Sequence, residues 1–159
     1  MNIKQIKKKL KTKLVKQRIK LCIAESVTGG RFVYEFVKNK GASDVIDYSL
    51  VSYSNDSKIR FLKLNKEIKK ETEFSRIVAK EMAERIIKFS KSENKLGISS
   101  TGLASISKHT KDWKSCKVFI AAHYKKKSIV KEYEFRKLSR IKVIEQVVEK
   151  MILLCNSII

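Results

Sequence analysis

The spacing of apolar residues predicts helices that alternate with strands. Ile3, Ile6, Leu10 and Leu14 recur every three or four residues, which indicates one apolar stripe on a basic helix over residues 2–18. The stripe is narrow and lacks aromatic residues, which favours packing against the domain over lying on a membrane surface. The same periodicity predicts further helices over 27–38, 55–62, 73–90 and 140–158.

Short apolar or β-branched runs predict the strands. They cover residues 18–24, 45–53, 96–100, 117–124 and 128–135, and Lys125-Lys126-Lys127 joins the last two as a hairpin. The polar segments 63–71 and 105–114 are predicted to be loops. The order of elements predicts an α/β fold, a three-layer α/β/α sandwich with a mixed, mostly parallel sheet.

The size and composition of the chain favour one domain over residues 1–159 with a sizeable core. No apolar run approaches the roughly 20 residues that span a membrane, and the basic N-terminus lacks the apolar core of a signal peptide. Cys22, Cys116 and Cys155 fit no zinc or disulfide spacing, so we expect a reduced, cytoplasmic protein without a metal site.

The net charge of +21 allows two interpretations. A polyanion partner would explain it, because lysines gain affinity for nucleic acid by releasing counterions. A compositional bias toward lysine would explain it equally, and this is favoured because the lysines are scattered and no nucleic-acid-binding motif accompanies them. We therefore expect only nonspecific binding of nucleic acid, and attraction of a small phosphorylated substrate.

Residues 21–58 carry the candidate chemistry. A buried strand delivers Ser26 into a turn with Gly29 and Gly30 at a helix N-terminus, where unpaired backbone N–H groups suit a phosphate or an oxyanion. A second strand delivers Tyr53 and, one turn later, Lys58. A desolvated lysine is able to activate a serine nucleophile.

Each of these residues also has a structural interpretation. Serine, as at Ser26, is a preferred residue type for a helix N-cap. A tyrosine at the end of a strand usually buries its ring and exposes its hydroxyl to solvent. Lys58 is one of very many lysines. His109, in a polar loop, and His123, in a strand, do not support a Ser-His-Asp triad. The residues alone leave both interpretations open.

Two segments resemble the CinA C-terminal domain family, the nicotinamide-nucleotide amidases. Residues 24–30, A-E-S-V-T-G-G, resemble its A-E-S-C-T-G-G, and residues 51–58, V-S-Y-S-N-D-S-K, resemble its V-T-Y-S-N-x-x-K. Weaker likenesses follow in order at 41–43, 75–83, 100–104 and 135–140. The resemblance extends from about residue 5 to 155 and implies a three-layer sandwich and a homodimer.

The resemblance also implies an activity. Members of that family hydrolyse the carboxamide of nicotinamide mononucleotide to nicotinic acid mononucleotide and ammonia, in pyridine-nucleotide (NAD) salvage, without metal or cofactor. By motif position, the implied catalytic residues are Ser26, Tyr53 and Lys58. The expected substrate-binding residues are Glu25, Thr28, Gly29, Gly30, Ser43, Thr101, Gly102 and Arg140.

The chain departs from the family pattern at two places. Ser105-Ile106-Ser107-Lys108 stands where the family has G-P-x-G-G, and Lys137-Leu138-Ser139-Arg140 keeps only the arginine of G-D-R. An amidohydrolase with backbone N–H groups of Thr28 to Gly30 as its oxyanion site is the first expectation. A binding or interaction module that has lost catalysis, and a basic nucleic-acid-associated protein, are the alternatives.

Overall fold

A computed structural model describes residues 2–106 and 115–159. The helices are α1 (Ile3–Lys16), α2 (Arg31–Val37), α3 (Asn55–Leu62), α4 (Asn65–Lys70), α5 (Arg76–Ile86) and α6 (Arg140–Ile158), with a 3-10 turn at Ile87–Phe89. The strands are β1 (Lys20–Glu25), β2 (Ile46–Val51), β3 (Lys95–Gly102), β4 (Cys116–Tyr124) and β5 (Lys127–Phe135). Most of the loop predicted over 105–114 lies outside the described residues.

The five strands form one sheet in the order β2-β1-β3-β4-β5. β1 is parallel to β2 and β3, whereas β4 is antiparallel to both β3 and β5. Four strands therefore run in the same direction and β4 alone opposes them, which confirms the mixed, mostly parallel sheet and the hairpin. Because β1, β2, β3 and β5 end at one side of the sheet, we call that side the carboxyl edge.

Helices cover both faces of the sheet, which confirms the three layers. Leu21 and Ile23 of β1 pack into the cluster formed with α1, α2 and α6. Cys22 and Ala24, which point the other way, pack with residues of α3 and α5. The apolar stripe of α1 is buried in the first cluster, so α1 packs against the rest of the protein as predicted.

The structure corrects several element bounds. α4 lies inside the segment 63–71 that the sequence predicts to be a loop, because Leu64 and Ile68, four residues apart, pack on the cluster of α3 and α5. The helix predicted over 27–38 begins only at Arg31. The helix predicted over 73–90 begins at Arg76, with Ser75 as its cap, and is α-helical only to Ile86.

Within the two described ranges, no helix combines the length and apolar character needed to cross a membrane.

Candidate active site

The carboxyl edge gathers residues that are far apart in sequence. Ser26 follows β1, Tyr53 follows β2, Thr101 and Gly102 end β3, and Arg140 begins α6 just after β5. Backbone hydrogen bonds extend the sheet one residue further. The Ser26 N–H donates to the Ser100 carbonyl at 2.9 Å, and the Ser52 N–H donates to the Glu25 carbonyl at 2.8 Å. The topology thus places Ser26 in the middle of this edge.

Ser26 and Lys58 form a buried pair at the centre of the edge. The Lys58 ammonium donates to Ser26 Oγ at 3.1 Å and to the Tyr53 carbonyl at 3.3 Å. Ser26 is 4% exposed and Lys58 is 1% exposed. Side chains on a helix tilt toward its N-terminus, so Lys58 reaches back from the second turn of α3 to the end of β1. The sequence-predicted nucleophile and base therefore meet.

Burial alters the acidity of Lys58. Desolvation lowers its pKa from the ordinary 10.5 to about 8, while the carboxylate of Glu73 acts in the opposite direction. A pKa within about one unit of neutral pH makes the neutral amine accessible, so it is able to accept a proton from the hydroxyl it contacts. Burial of the whole side chain separates Lys58 from the exposed lysines of the chain.

Glu25 caps the N-terminus of α2. Its buried carboxylate accepts hydrogen bonds from the backbone N–H groups of Gly30, Phe32 and Val33 at 2.9–3.0 Å. Ser26 makes no side-chain cap here, because the N-cap position is Gly30 and Ser26 Oγ faces Lys58. Glu25 was expected to bind substrate, but its oxygens are bonded to α2, so it shapes the turn instead.

The turn from Ser26 to Gly29 leaves two backbone donors for a ligand. The Gly29 N–H donates to the Ser26 carbonyl at 3.1 Å, and the Gly30 N–H donates to Glu25. Among the described residues, the N–H groups of Val27 and Thr28 have no recorded acceptor. Of the expected oxyanion donors, Thr28 to Gly30, the N–H groups of Gly29 and Gly30 are therefore already bonded within the protein, and only that of Thr28 has no acceptor among the described residues.

Glycine is needed in this turn for its backbone conformation. Gly29 and Gly30 have φ values of +57° and +92°, which other residues rarely adopt. A Cβ on Gly29 would meet no atom of the described residues within 4 Å, so among these residues this side of the turn is open. The turn can therefore be approached by a small molecule.

Three other predicted residues fix β3 against its neighbours at the carboxyl edge. Thr28 Oγ1 and Ser100 Oγ lie 2.7 Å apart, and Thr101 Oγ1 donates to the Glu73 carbonyl at 2.8 Å. A Cβ on Gly102 would collide with the Lys117 carbonyl oxygen, so glycine is required there for close packing on β4. These contacts hold the wall of the site together.

Arg140 and Tyr53 form the rim of the site. The Arg140 guanidinium donates to the Tyr53 hydroxyl and to Ser105 Oγ, both at 2.9 Å. Tyr53 is 60% exposed, and its recorded link to Lys58 is through its main-chain carbonyl, not its hydroxyl. An exposed guanidinium at a rim suits the phosphate of a ligand.

Two predicted positions lie elsewhere. Ser43 precedes β2 at the opposite edge of the sheet, where its carbonyl accepts a hydrogen bond from Lys20 Nζ at 2.6 Å. Ser43 and Ser26 of the same chain therefore lie at opposite edges. His123 lies near the far end of β4, with Nδ1 2.7 Å from Ser128 Oγ, which supports its structural interpretation. His109 lies outside the described residues.

Sequence reasoning missed three residues of the site. Ser52 and Ser100 are fully buried next to Ser26, and the charge of Glu73 acts on Lys58. The small polar run of residues 99–101 at a strand end was a signal for Ser100. Nothing local singles out Glu73, because only the packing of α5 on β3 brings it near.

Comparison with known proteins identifies the family. The model of the CinA C-terminal domain matches residues 3–159. The chain belongs to the CinA C-terminal domain family. A competence-damage inducible protein of Clostridium botulinum strain Langeland is 38% identical over 123 residues, 77% of this chain and 30% of that protein. One of Alkaliphilus oremlandii is 40% identical over 92 residues, 57% of this chain and 22% of that protein. The matches therefore span less than a third of these relatives.

Solved CinA structures share the fold. A CinA superfamily protein from Escherichia coli superposes with a TM-score of 0.86 at 19% identity, covering 99% of this chain and 91% of that one. A competence or damage-inducible protein from Enterobacter asburiae gives 0.86 at 21% identity, covering 99% and 98%. At these identities the likeness concerns the fold, which agrees with the α/β/α sandwich described above.

Proposed function

We propose that this CinA-family protein is an amidohydrolase that deamidates nicotinamide mononucleotide to nicotinic acid mononucleotide and ammonia. The observation that carries the proposal is the buried Ser26–Lys58 contact of 3.1 Å, with the pKa of the lysine lowered to about 8. A hydroxyl beside a desolvated amine is the arrangement that serine–lysine nucleophiles require. The resemblance at residues 24–30 and 51–58 supports the carboxamide substrate.

The first half of the reaction forms an acyl-enzyme. Neutral Lys58 accepts the Ser26 proton as Ser26 Oγ attacks the carboxamide carbon. The N–H groups of Val27 and Thr28 hold the oxyanion, a role worth about 3 kcal/mol per donor. The C–N bond breaks, and the proton passes from Lys58 to the nitrogen, which leaves as ammonia. Water then hydrolyses the ester on Ser26.

The rim supports recognition of the nucleotide. Arg140 is held by Tyr53 and Ser105 with its charge exposed at the carboxyl edge. A guanidinium fixed by two side chains loses little freedom when it binds a phosphate. In this proposal Tyr53 and Arg140 bind substrate, and Ser26 with Lys58 performs the chemistry.

The experiment is ammonia and nicotinic acid mononucleotide release from nicotinamide mononucleotide by wild type, Ser26→Ala and Ser43→Ala. We expect equimolar products from wild type, and a loss of about a thousandfold or more in Ser26→Ala because the nucleophile is gone. Ser43→Ala is the matched control, an exposed serine at the opposite edge, and should retain wild-type activity. Undiminished turnover in Ser26→Ala would refute the mechanism.

Arg140→Gln tests recognition of the phosphate. The expected result is a KM for nicotinamide mononucleotide raised about tenfold or more, because a charged contact to phosphate is lost. Nicotinamide riboside, which has no phosphate, should show the same kcat/KM with wild type and with the variant. An equal loss on both substrates would contradict a phosphate role for Arg140.

A binding module without catalysis is the second candidate. Its supporting observation is the sequence at 105–108, which has none of the glycines of the family motif. Calorimetry decides between the two functions: nucleotide binding to folded wild type without any ammonia release would favour the second.

A further inference from the structure

The hydroxyl of Ser52 is buried at the carboxyl edge of the sheet. Ser52 is 0% exposed, and its Oγ has no hydrogen-bond partner in the described part of the protein. Leaving a buried hydroxyl unpaired is unfavourable, so such an atom is a candidate to receive a hydrogen bond from a bound molecule.

The strand register places this hydroxyl beside the nucleophile. Glu25 pairs with Val51 in the parallel β1–β2 ladder, and the Ser52 N–H donates to the Glu25 carbonyl, so Ser52 stands next to Ser26. Neighbouring strands lie about 4.8 Å apart. The two side chains are therefore near neighbours across the ladder.

Both side chains lie on the same face of the sheet. Ala24 and Leu50, each two residues earlier on its strand, both belong to the cluster that packs on α3 and α5. Lys58 reaches Ser26 from α3, and it also bonds the carbonyl of Tyr53, the residue that follows Ser52. Ser52 thus borders the Ser26–Lys58 pair.

The other buried hydroxyls at this edge already have partners. Thr28 pairs with Ser100, Thr101 donates to the Glu73 carbonyl, and Ser99 donates to the Ala79 carbonyl. The other unpaired buried atoms recorded for the described residues, on Glu67 and Asn156, belong to α4 and α6. Ser52 alone combines an unpaired hydroxyl with this position among the described residues.

We propose that Ser52 binds the departing nitrogen and then the hydrolytic water at the acyl carbon. The inference rests on the proposed function and deepens it. Lys58 gives a proton to the departing nitrogen and later accepts one from the water. The nitrogen and the water therefore both occupy the side of the acyl carbon that faces Lys58. Ser52 Oγ borders that position and accepts one N–H bond from the carboxamide, and later one O–H bond from water.

The assignment keeps the chemistry balanced. In deacylation the water oxygen bonds to the acyl carbon and the bond from that carbon to Ser26 Oγ breaks. One water proton passes to Lys58 and from there to Ser26 Oγ, and the other stays in the product acid. Ser52 keeps its own proton throughout. It accepts a hydrogen bond from the water and so orients it for attack.

The experiment uses an ester in place of the amide. The methyl ester of nicotinic acid mononucleotide has no N–H to be bound, so Ser26 should be acylated normally in Ser52→Ala, while the water of deacylation is no longer held. We expect turnover of the ester to fall about tenfold to a hundredfold, the size of one lost hydrogen bond. The intact mass of Ser52→Ala should show accumulated acyl-enzyme. Ser52→Thr, which keeps a hydroxyl, should stay within about fivefold of wild type.

Stability separates this role from a structural one. Removing an unpaired buried hydroxyl leaves nothing unsatisfied, so the thermal midpoint of Ser52→Ala should equal or exceed that of wild type. Ser99→Ala is the matched control: it loses a buried bond to α5, and its midpoint should fall without any accumulation of acyl-enzyme. A lower midpoint for Ser52→Ala, or wild-type turnover without accumulation, would overturn the assignment.

Failure of the proposed function has a different outcome. A wild type that releases neither ammonia nor methanol and carries no acyl group would refute the amidohydrolase, and the role of Ser52 with it. An active wild type with an indistinguishable Ser52→Ala variant would refute the Ser52 assignment alone.

Discussion

Lys58 shows what decides function at the scale of one residue. It is one of 37 basic residues, and nothing in its own type or spacing distinguishes it. Only the resemblance to a motif predicted its role. The structure supplies the physical reason, because α3 carries the amine into a site where it is 1% exposed and contacts Ser26.

The pH dependence of activity follows from that burial. Since the base is the neutral amine, kcat/KM should rise about tenfold per pH unit at acidic pH and level off above its pKa of about 8. Glu73→Gln should move this midpoint to lower pH, because the carboxylate of Glu73 raises the pKa of Lys58. Rates measured from about pH 6 to about pH 10 test both statements.

The control for Glu73 is an acid nearby in sequence. Glu71 is exposed at the end of α4, so Glu71→Gln should leave the midpoint unchanged. A midpoint that moves to higher pH in Glu73→Gln, or equally in both variants, would contradict the assigned effect of Glu73.

The start of α2 shows what the sequence lacks at the scale of an element. Apolar periodicity from Val27 to Lys38 predicts a helix, but it cannot show that Gly29 and Gly30 take left-handed conformations. Nor does it reveal that Glu25, five to eight residues before its partners, supplies the cap. The missed helix α4 has a similar cause, since two apolar residues among lysines carry a weak periodic signal.

Glu25→Ala should destabilise the protein. The buried carboxylate satisfies three backbone donors, and its loss leaves them unpaired, so we expect the free energy of unfolding to fall by roughly 2–4 kcal/mol. Urea unfolding measures it. The exposed Glu93→Ala variant should change stability by less than about 0.5 kcal/mol. An equal effect of both substitutions would show that Glu25 does not stabilise the turn.

At the scale of the whole molecule, the sheet topology builds the site. The sequence predicts all five strands and the three layers, because runs of apolar residues report burial directly. It does not give the strand order, which depends on contacts between distant segments. That order places β1 between β2 and β3, and so brings Ser26 beside Lys58, Ser52 and Ser100.

Topology also explains which of the predicted site residues lie at the carboxyl edge and which do not. Ser43 and Tyr53 flank the same strand, β2, but at opposite ends, so only Tyr53 reaches the carboxyl edge. Arg140 joins that edge although its motif is mostly lost, because β5 runs in the same direction as β1 and delivers the start of α6 there. Motif resemblance alone could not separate these two cases.

The central claim is that Ser26 and Lys58, 32 residues apart, act as one catalytic unit. The most direct measurement is ammonia release from nicotinamide mononucleotide by wild type, Ser26→Ala, Lys58→Met and the double variant. The account predicts that each single variant loses about as much activity as the double variant, since neither residue works without the other. Losses that multiply in the double variant, or a Lys58→Met variant as active as wild type, would contradict it.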